Sequence, residues 1–285
     1  MPKTFVSGVA DITDREFEMF KNLIFQKSGI SLHEGKKELV RTRLSSRLRE
    51  RGFNTYMEYY NYVRDDDTGT ELISLLDAIS TNLTSFFREI NHFHFLAKTI
   101  IPEIVAKKRM SGSKEVRAWS AGCSSGEEPY SIAFTMMDHM ETIQTWDVKI
   151  LGTDLSTQVL EKAARGVYKE TQLQTVPKNI IRKYFEPAPP DGDLKLYRVR
   201  DEVKRIIFFK RFNLMTPKFP FKRKFDFIFC RNVMIYFDKP TQQTLINKYY
   251  DTLAEGGYLL IGHSESLTGV SHKFKYVQPT IYQKA

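Results

Sequence analysis

Three segments of this chain place polar and charged residues directly after short, β-prone apolar runs. The first is Ser120-Ala121-Gly122-Cys123-Ser124-Ser125-Gly126-Glu127-Glu128-Pro129, which closes the run over residues 116–120. Small residues let a backbone approach a ligand closely, and Pro129 suits a first helical turn. The segment therefore reads as a strand, a loop and a helix start. It is not G-x-G-x-x-G, so the dinucleotide fingerprint is absent. The Glu127–Glu128 pair repels a phosphate and suits a ligand with a positive end, such as the sulfonium and amino group of S-adenosylmethionine. An ordinary turn whose acids favour the helix dipole explains the same residues equally well. The second segment ends the run 148–152 in Asp154. A carboxylate there accepts two hydrogen bonds from a ribose diol, or caps the next helix, as Ser156 also could. The third sets Arg231-Asn232 after the run 225–230, where polar side chains either face a ligand beyond the strand ends or cap a turn. Arg88 adds a cation in the segment 81–89, where Thr81 and Asn82 read as helix caps and Phe86 and Phe87 as core.

The elements that would position these groups fall into two textures. Residues 11 to about 80 read as helices. Thr13 with Glu16 forms a capping-box pattern, and Leu39, Val40, Leu44 and Leu48 recur at helical spacing until Gly52. Tyr56, Tyr59, Tyr60 and Val63 give a further apolar face, and Leu72, Leu75, Leu76 and Ile79 one more. From about residue 115, short β-prone runs alternate with helical stretches. Strands are expected over 116–120, 148–152, 225–230, 258–262 and 274–283, and helices over 129–140, 157–165 and 240–254. Such alternation is the mark of a doubly wound sheet. Residues 166–210 break the rhythm with Pro187, Pro189, Pro190 and Gly192, then alternate, and read as a small antiparallel insert. The expected domains are a helical one over 1–80, a linker helix over 81–100 and an α/β domain over 101–285 carrying that insert.

With 285 residues, 41% of them apolar, the chain can bury a sizeable core. No apolar run is long enough to span a bilayer, and the start lacks the features of a signal peptide. Cys123 and Cys230 supply neither a disulfide framework nor a metal set. These features point to the reducing cytoplasm. A formal net charge of +9 draws a protein to nucleic acid, an anionic membrane or an acidic protein. One basic cluster is the helix expected over 36–51, on which Arg43, Arg47 and Arg51 share a stripe. That stripe is either a solvated face or a docking surface.

Taken together, the segments carry a family resemblance. Thr81-Asn82-Leu83-Thr84-Ser85-Phe86-Phe87-Arg88-Glu89, the Ser120-to-Pro129 loop with Tyr130-Ser131, Gly152-Thr153-Asp154-Leu155 and Cys230-Arg231-Asn232-Val233-Met234-Ile235-Tyr236-Phe237 occur in this order, closed by Gly262-His263-Ser264-Glu265-Ser266. In this the chain resembles CheR, the chemotaxis receptor methyltransferase family, over nearly its whole length. The resemblance implies an α/β, Rossmann-like S-adenosylmethionine-dependent methyltransferase sheet with an inserted antiparallel β-subdomain, preceded by an all-α domain. It implies cofactor-binding positions at Asn82, Thr84, Arg88, Glu128, Asp154, Asn213, Leu214, Arg231 and Asn232, with Arg88 and Tyr236 nearest the transferred methyl and no metal. The implied reaction converts receptor glutamates to methyl esters and leaves S-adenosylhomocysteine. The implied partner is the cytoplasmic helical domain of methyl-accepting chemotaxis receptors, met by Arg43, Arg47 and Arg51, with a receptor C-terminal peptide at the β-subdomain edge.

Rival readings lack their own marks. Base N-methylation uses an Asp/Asn-Pro-Pro-aromatic turn where this chain has Arg231-Asn232-Val233-Met234, and neither cysteine follows a proline as cytosine C5 chemistry requires. Nucleic acid and membrane insertion are therefore not expected. A non-catalytic module that binds S-adenosylmethionine in a signalling array is opposed by the presence of Arg88 and Tyr236.

Overall fold

The computed structural model describes residues 11–285, so the first ten residues of the expected helical domain lie outside the described residues. The chain divides into two compact units, Met1–Thr81 with Tyr236–Asp238, and Asn82–Ile235 with Lys239–Ala285. No helix among the described residues is long and apolar enough to cross a membrane.

The first unit holds α1 (Asp14–Ser28), α2 (Lys37–Arg51), α3 (Tyr56–Arg64) and α4 (Thr70–Ile79). Thr13 with Glu16 and Thr55 with Glu58 close capping boxes at the starts of α1 and α3, and Gly29 and Gly52 end α1 and α2 in the left-handed conformation. Val40, Leu44 and Leu48 of α2 are fully buried, as their spacing predicts. The arginine stripe beside them turns toward α4. Glu71 of α4 is buried, and its carboxylate takes Arg47 Nε at 2.7 Å, Arg51 Nη2 at 2.8 Å and the Tyr59 hydroxyl at 2.9 Å. Arg43 donates to the carbonyls of Ala78 and Ile79 at the end of α4, at 3.2 and 2.8 Å. A cation there satisfies orphan carbonyls and complements the helix dipole. Spacing fixes the stripe on α2 but not the neighbour it meets.

The second unit opens with α5 (Asn91–Phe95), which runs through a π-helical turn, Leu96–Ile100, into α6 (Ile101–Met110). There follow β1 (Glu115–Ala121), α7 (Glu127–His139), β2 (Asp147–Asp154) and α8 (Thr157–Arg165). Next come β3 (Val167–Lys169), α9 (Lys178–Tyr184), β4 (Phe185–Asp191), β5 (Leu194–Val199) and α10 (Asp201–Lys204). The unit closes with β6 (Ile207–Arg211), β7 (Phe225–Cys230), α11 (Lys239–Thr252), β8 (Leu253–Ile261), β9 (Lys275–Gln278) and β10 (Ile281–Gln283). The main sheet has the order β6-β2-β1-β7-β8-β10-β9. Its first five strands are parallel, and β10 returns antiparallel against β8 and β9. Every residue of the central strand β7 is buried, as expected of a parallel strand covered on both faces. A separate antiparallel sheet, β3-β5-β4, forms the insert.

Three expectations differ from the structure. The stretch 81–100 is not one helix. Residues 82–85 are irregular and residues 86–90 form turns in which Phe87 and Glu89 take φ of 52° and 56°, which no α-helix tolerates. Phe86 is anchored instead among Tyr168, Phe185 and Phe134. Residues 207–210, read with the insert, belong to β6, which pairs in parallel with β2 and forms the edge of the main sheet. Residues 274–283 make two strands, because Thr280 turns the chain at φ 65°.

Candidate active site

The carboxyl ends of β1, β2 and β7 lie in register, with Ser120 opposite both Gly152 and Phe229. The loops beyond them carry the expected polar groups. After β1, the N–H groups of Gly122 and Cys123 both donate to Thr153 O at 2.8 Å, which folds the loop over the end of β2. Asp154 accepts the N–H of Ser124 at 2.9 Å on one oxygen and that of Ser156 at 3.0 Å on the other. Ser124 donates its hydroxyl to Asn82 O at 2.9 Å and so joins the 82–90 stretch to the same loop. A Cβ on Gly122 would lie 2.3 Å from Val233 Cγ2, so only glycine lets the loops after β1 and β7 meet this closely.

Beneath the loops lies a buried polar network. Glu128 accepts the Ser120 hydroxyl at 2.6 Å and pairs with Arg231 Nε at 2.9 Å. Burial pushes the Glu128 carboxyl up, against the lowering effect of Arg231 and Ser120. Arg231 donates to Arg88 O at 2.6 Å and meets His92 Nδ1 at 3.2 Å, with Phe93 and Phe229 against its guanidinium. A guanidinium only donates, so Nδ1 of His92 accepts and Nε2 carries the hydrogen. That N–H donates to the Thr280 hydroxyl at 2.7 Å, which in turn donates to Pro279 O at 2.6 Å. Burial, with Arg231 and then His263 nearby, lowers the His92 pKa to about 3, so the ring is neutral at physiological pH. Glu89, His92 and His263 bring possible ligand atoms within 4.8 Å of one another. The His92 nitrogen facing Glu89 already receives Arg231, however, and the cluster reads as a hydrogen-bond network beside a guanidinium. Both cysteines are buried with thiol pKa values pushed up by that burial, and are poor nucleophiles.

The remaining expected positions are spread over the same rim and beyond it. Arg88 is half-buried and donates to Leu83 O at 2.9 Å within its own turn. Asn213 follows β6, and its side-chain oxygen accepts the Met215 N–H at 2.9 Å; Leu214 beside it is buried. Asn232 takes φ 58° and gives its N–H to Glu265 at 2.9 Å. Tyr236 groups with the helical unit, where its carbonyl accepts the Ser31 N–H at 2.8 Å. The side chains of Asn82, Thr84 and Asn232 are half-buried and make no hydrogen bond among the described residues. Sequence reasoning gave no role to Ser120, Glu89, His92 or Glu265. The signal for Glu265 is its place in the closing segment Gly262-His263-Ser264-Glu265-Ser266, which by itself assigns it no role.

Residues 82–283 match the family model described as CheR methyltransferase, SAM binding domain, and residues 15–80 match CheR methyltransferase, all-alpha domain. This chain belongs to the CheR methyltransferase family. It is 44% identical over 275 residues to the chemotaxis protein methyltransferase of Borreliella burgdorferi, covering 96% of this chain and 95% of that protein. Against a probable chemotaxis protein methyltransferase of Rhizobium etli the identity is 40%, over 92% of this chain and 96% of that protein. Against the chemotaxis protein methyltransferase of Escherichia coli it is 37%, over 95% and 91%.

The rim of this CheR chain suits S-adenosylmethionine on its own geometry. Asn82, Thr84 and Asn232 offer open donors and acceptors. Oε2 of Glu89 is buried and makes no hydrogen bond among the described residues, with Arg231 Nε 4.0 Å away as its counter-charge. Gly122 and Gly126 hold the loop in conformations with φ 87° and 96° that favour glycine, packed closely against Val233 and against Ala163 and Tyr168.

Proposed function

We propose that this chain transfers the methyl group of S-adenosylmethionine to glutamate side chains of chemotaxis receptors, giving methyl esters and S-adenosylhomocysteine. The observation that carries the reading is a rim of open amide and hydroxyl groups around the buried Glu128–Arg231 pair, in a chain of the CheR family. A glutamate carboxyl has an ordinary pKa of about 4.3 and is already an anion at neutral pH. The reaction therefore asks for no general base, and His92, neutral with both nitrogens engaged, offers none. When bound, the cofactor supplies a methyl on a positively charged sulfur. The protein's task is alignment and exclusion of water. Asn82, Thr84, Arg88, Glu128, Asp154, Asn213, Leu214, Arg231 and Asn232 are proposed to hold the cofactor, with no metal. Arg88 and Tyr236 are proposed as the catalytic pair. Arg88 would exchange its hold on Leu83 O for a carboxylate, and the Tyr236 hydroxyl would orient the incoming oxygen.

The helical unit is proposed to face the receptor's cytoplasmic helical domain, in the cytoplasm and without nucleic acid. Of the expected arginines, Arg51 keeps an exposed guanidinium, and Lys36 and Arg49 are exposed and make no ion pair among the described residues. These three, with the exposed Arg15 of α1, are proposed as cations that meet receptor glutamates. A receptor tail peptide could add a strand to the insert. The β4 edge is poorly suited to it. Val199 gives its N–H to Gly166 on the β3 side, so its partner Phe185 turns outward, and Pro187 shares that parity with no N–H to offer. Pro189 and Pro190 follow in the same strand. The test is incubation with tritiated S-adenosylmethionine and receptor-containing membranes. Base-labile label on a receptor band supports the ester; base-stable label, or label on nucleic acid, rejects it.

A further inference from the structure

One buried carboxylate in the second unit has no ion-pair partner among the described residues and serves five backbone donors. Glu265 lies four residues past the end of β8 and is 8% exposed. Its Oε2 accepts the N–H of Gly262 at 2.6 Å and of Asn232 at 2.9 Å. Its Oε1 accepts those of Val233, Met234 and Ile235 at 2.9, 2.7 and 3.2 Å. The loop after β7 thus presents consecutive N–H groups to one anion, and the carboxylate ties that loop to the end of β8. The close approach is built in. A Cβ on Gly262 would come within 2.7 Å of Asn232 N and 2.9 Å of Glu265 Oε2.

We propose that Glu265 is a positioning residue for methyl transfer, a carboxylate clamp that fixes Asn232 and the backbone up to the residue before Tyr236. The inference rests on the proposed function for what the loop does, but the clamp itself is a property of the fold. Asn232 sits at φ 58°, left-handed backbone that asparagine tolerates better than most residues with a side chain. The Glu265–Asn232 hydrogen bond selects that conformation and so sets where the open Asn232 amide points. Val233 of the same loop fills the space over Gly122, so a loop that relaxes also disturbs the turn after β1. A carboxylate is the one side-chain group that accepts on both oxygens. Glutamine presents an oxygen on one side and an NH2 on the other. Its best orientation keeps the three donors on Oε1 and sets NH2 against the N–H groups of Gly262 and Asn232. Glu265→Gln therefore releases Asn232 in particular.

The experiment compares full-length wild type, Glu265→Gln and Glu265→Asp by amide hydrogen exchange of the 231–236 stretch, calorimetric binding of S-adenosylhomocysteine and kinetics on receptor membranes. The clamp predicts at least tenfold faster exchange at 232–235 in Glu265→Gln. It also predicts at least tenfold weaker product binding and a matching fall in kcat, with receptor KM within twofold of wild type. Glu265→Asp keeps the charge on a shorter arm and recovers part of each loss. Exchange and binding equal to wild type in Glu265→Gln overturn the proposal. So does a fall in receptor affinity with product binding intact, or an aspartate variant no better than glutamine. If the wild type itself takes up no S-adenosylhomocysteine, the methyltransferase reading fails, while the exchange comparison still decides the clamp.

Discussion

At the scale of single residues, the buried pair of Glu128 and Arg231 governs both stability and binding. Removing one partner of such a pair strands the other charge in a poor solvent, at a cost of about 3 kcal/mol or more. Arg231→Met should therefore lower unfolding free energy in urea by about that amount. Adding Glu128→Gln should return most of it, while product binding stays lost in both variants. A double variant as unstable as the single one would show that the pair is not the source. His92 supplies a pH signature. Its native pKa is about 3 against an ordinary value of 6.5, so between those values the unfolded chain binds a proton that the native chain refuses. Stability then rises with pH through this window and is lost as pH falls from 6.5 toward 3. Relative to His92→Asn, the wild type should lose at most about 2 kcal/mol between pH 7 and pH 5. Urea midpoints that track each other across that range would remove the assignment. The sequence made Asp154, Arg231 and Asn232 legible because they stand at the ends of apolar strands, and Glu128 because it opens the helix that follows the small-residue loop after β1. Glu89, His92 and Glu265 were not, since their meaning lies in neighbours 30 to 190 positions away that only the fold assembles, such as His92 with Thr280.

Elements show where local chemistry decides and where it is overruled. The capping boxes at Thr13 and Thr55 and the glycine stops at Gly29 and Gly52 are local, and at Thr13 and Gly52 the expectation matches the structure. The strands around β1, β2 and β7 are long enough apolar runs to declare themselves. The 82–90 stretch is not local. Its backbone is dictated by Phe86 packing in the core and by Phe87 N–H donating to the Ser131 hydroxyl at 3.0 Å. β6 is likewise a matter of pairing, because the same apolar run would suit either sheet. The contact between the loops after β1 and β7 gives the sharpest test at this scale. Gly122→Ala meets both a positive φ of 87° and a methyl 2.3 Å away, whereas Gly112→Ala meets only a φ of 68° with nothing within 4 Å. The backbone strain alone is worth about 1 to 2 kcal/mol and the overpacking about 1 to 3 more. Thermal unfolding should show Gly112→Ala mildly destabilised with product binding intact. Gly122→Ala should lose about 3 kcal/mol and most of its product affinity. Equal effects at the two sites would mean that the loop contact tolerates the methyl.

For the molecule as a whole, net charge is a poor guide to which cations meet a partner. The +9 total is legible at once, yet much of the basic helix α2 is engaged internally. Arg43 and Arg47 hold α4, and Arg41 and Lys37 pair with Glu38 and Asp14. Buried or half-buried pairs of this kind are screened little by salt, whereas exposed cations steer a partner through solvent and lose their effect within a Debye length of about 8 Å at physiological ionic strength. The two classes are therefore separable by one titration. Lys36→Glu with Arg49→Glu should raise the receptor KM several-fold at low salt, leave S-adenosylhomocysteine affinity and the melting temperature near wild type, and converge on wild type as salt rises. Arg47→Ala should do the reverse. It leaves the Glu71 carboxylate buried with only Arg51 and Tyr59, so the helical unit melts lower at every salt concentration, and the receptor KM changes only where the unit unfolds. If Arg47→Ala instead raised KM in a salt-dependent way with the fold intact, the stripe on α2 would be a docking surface after all, and its contacts with α4 would have to open when the receptor arrives.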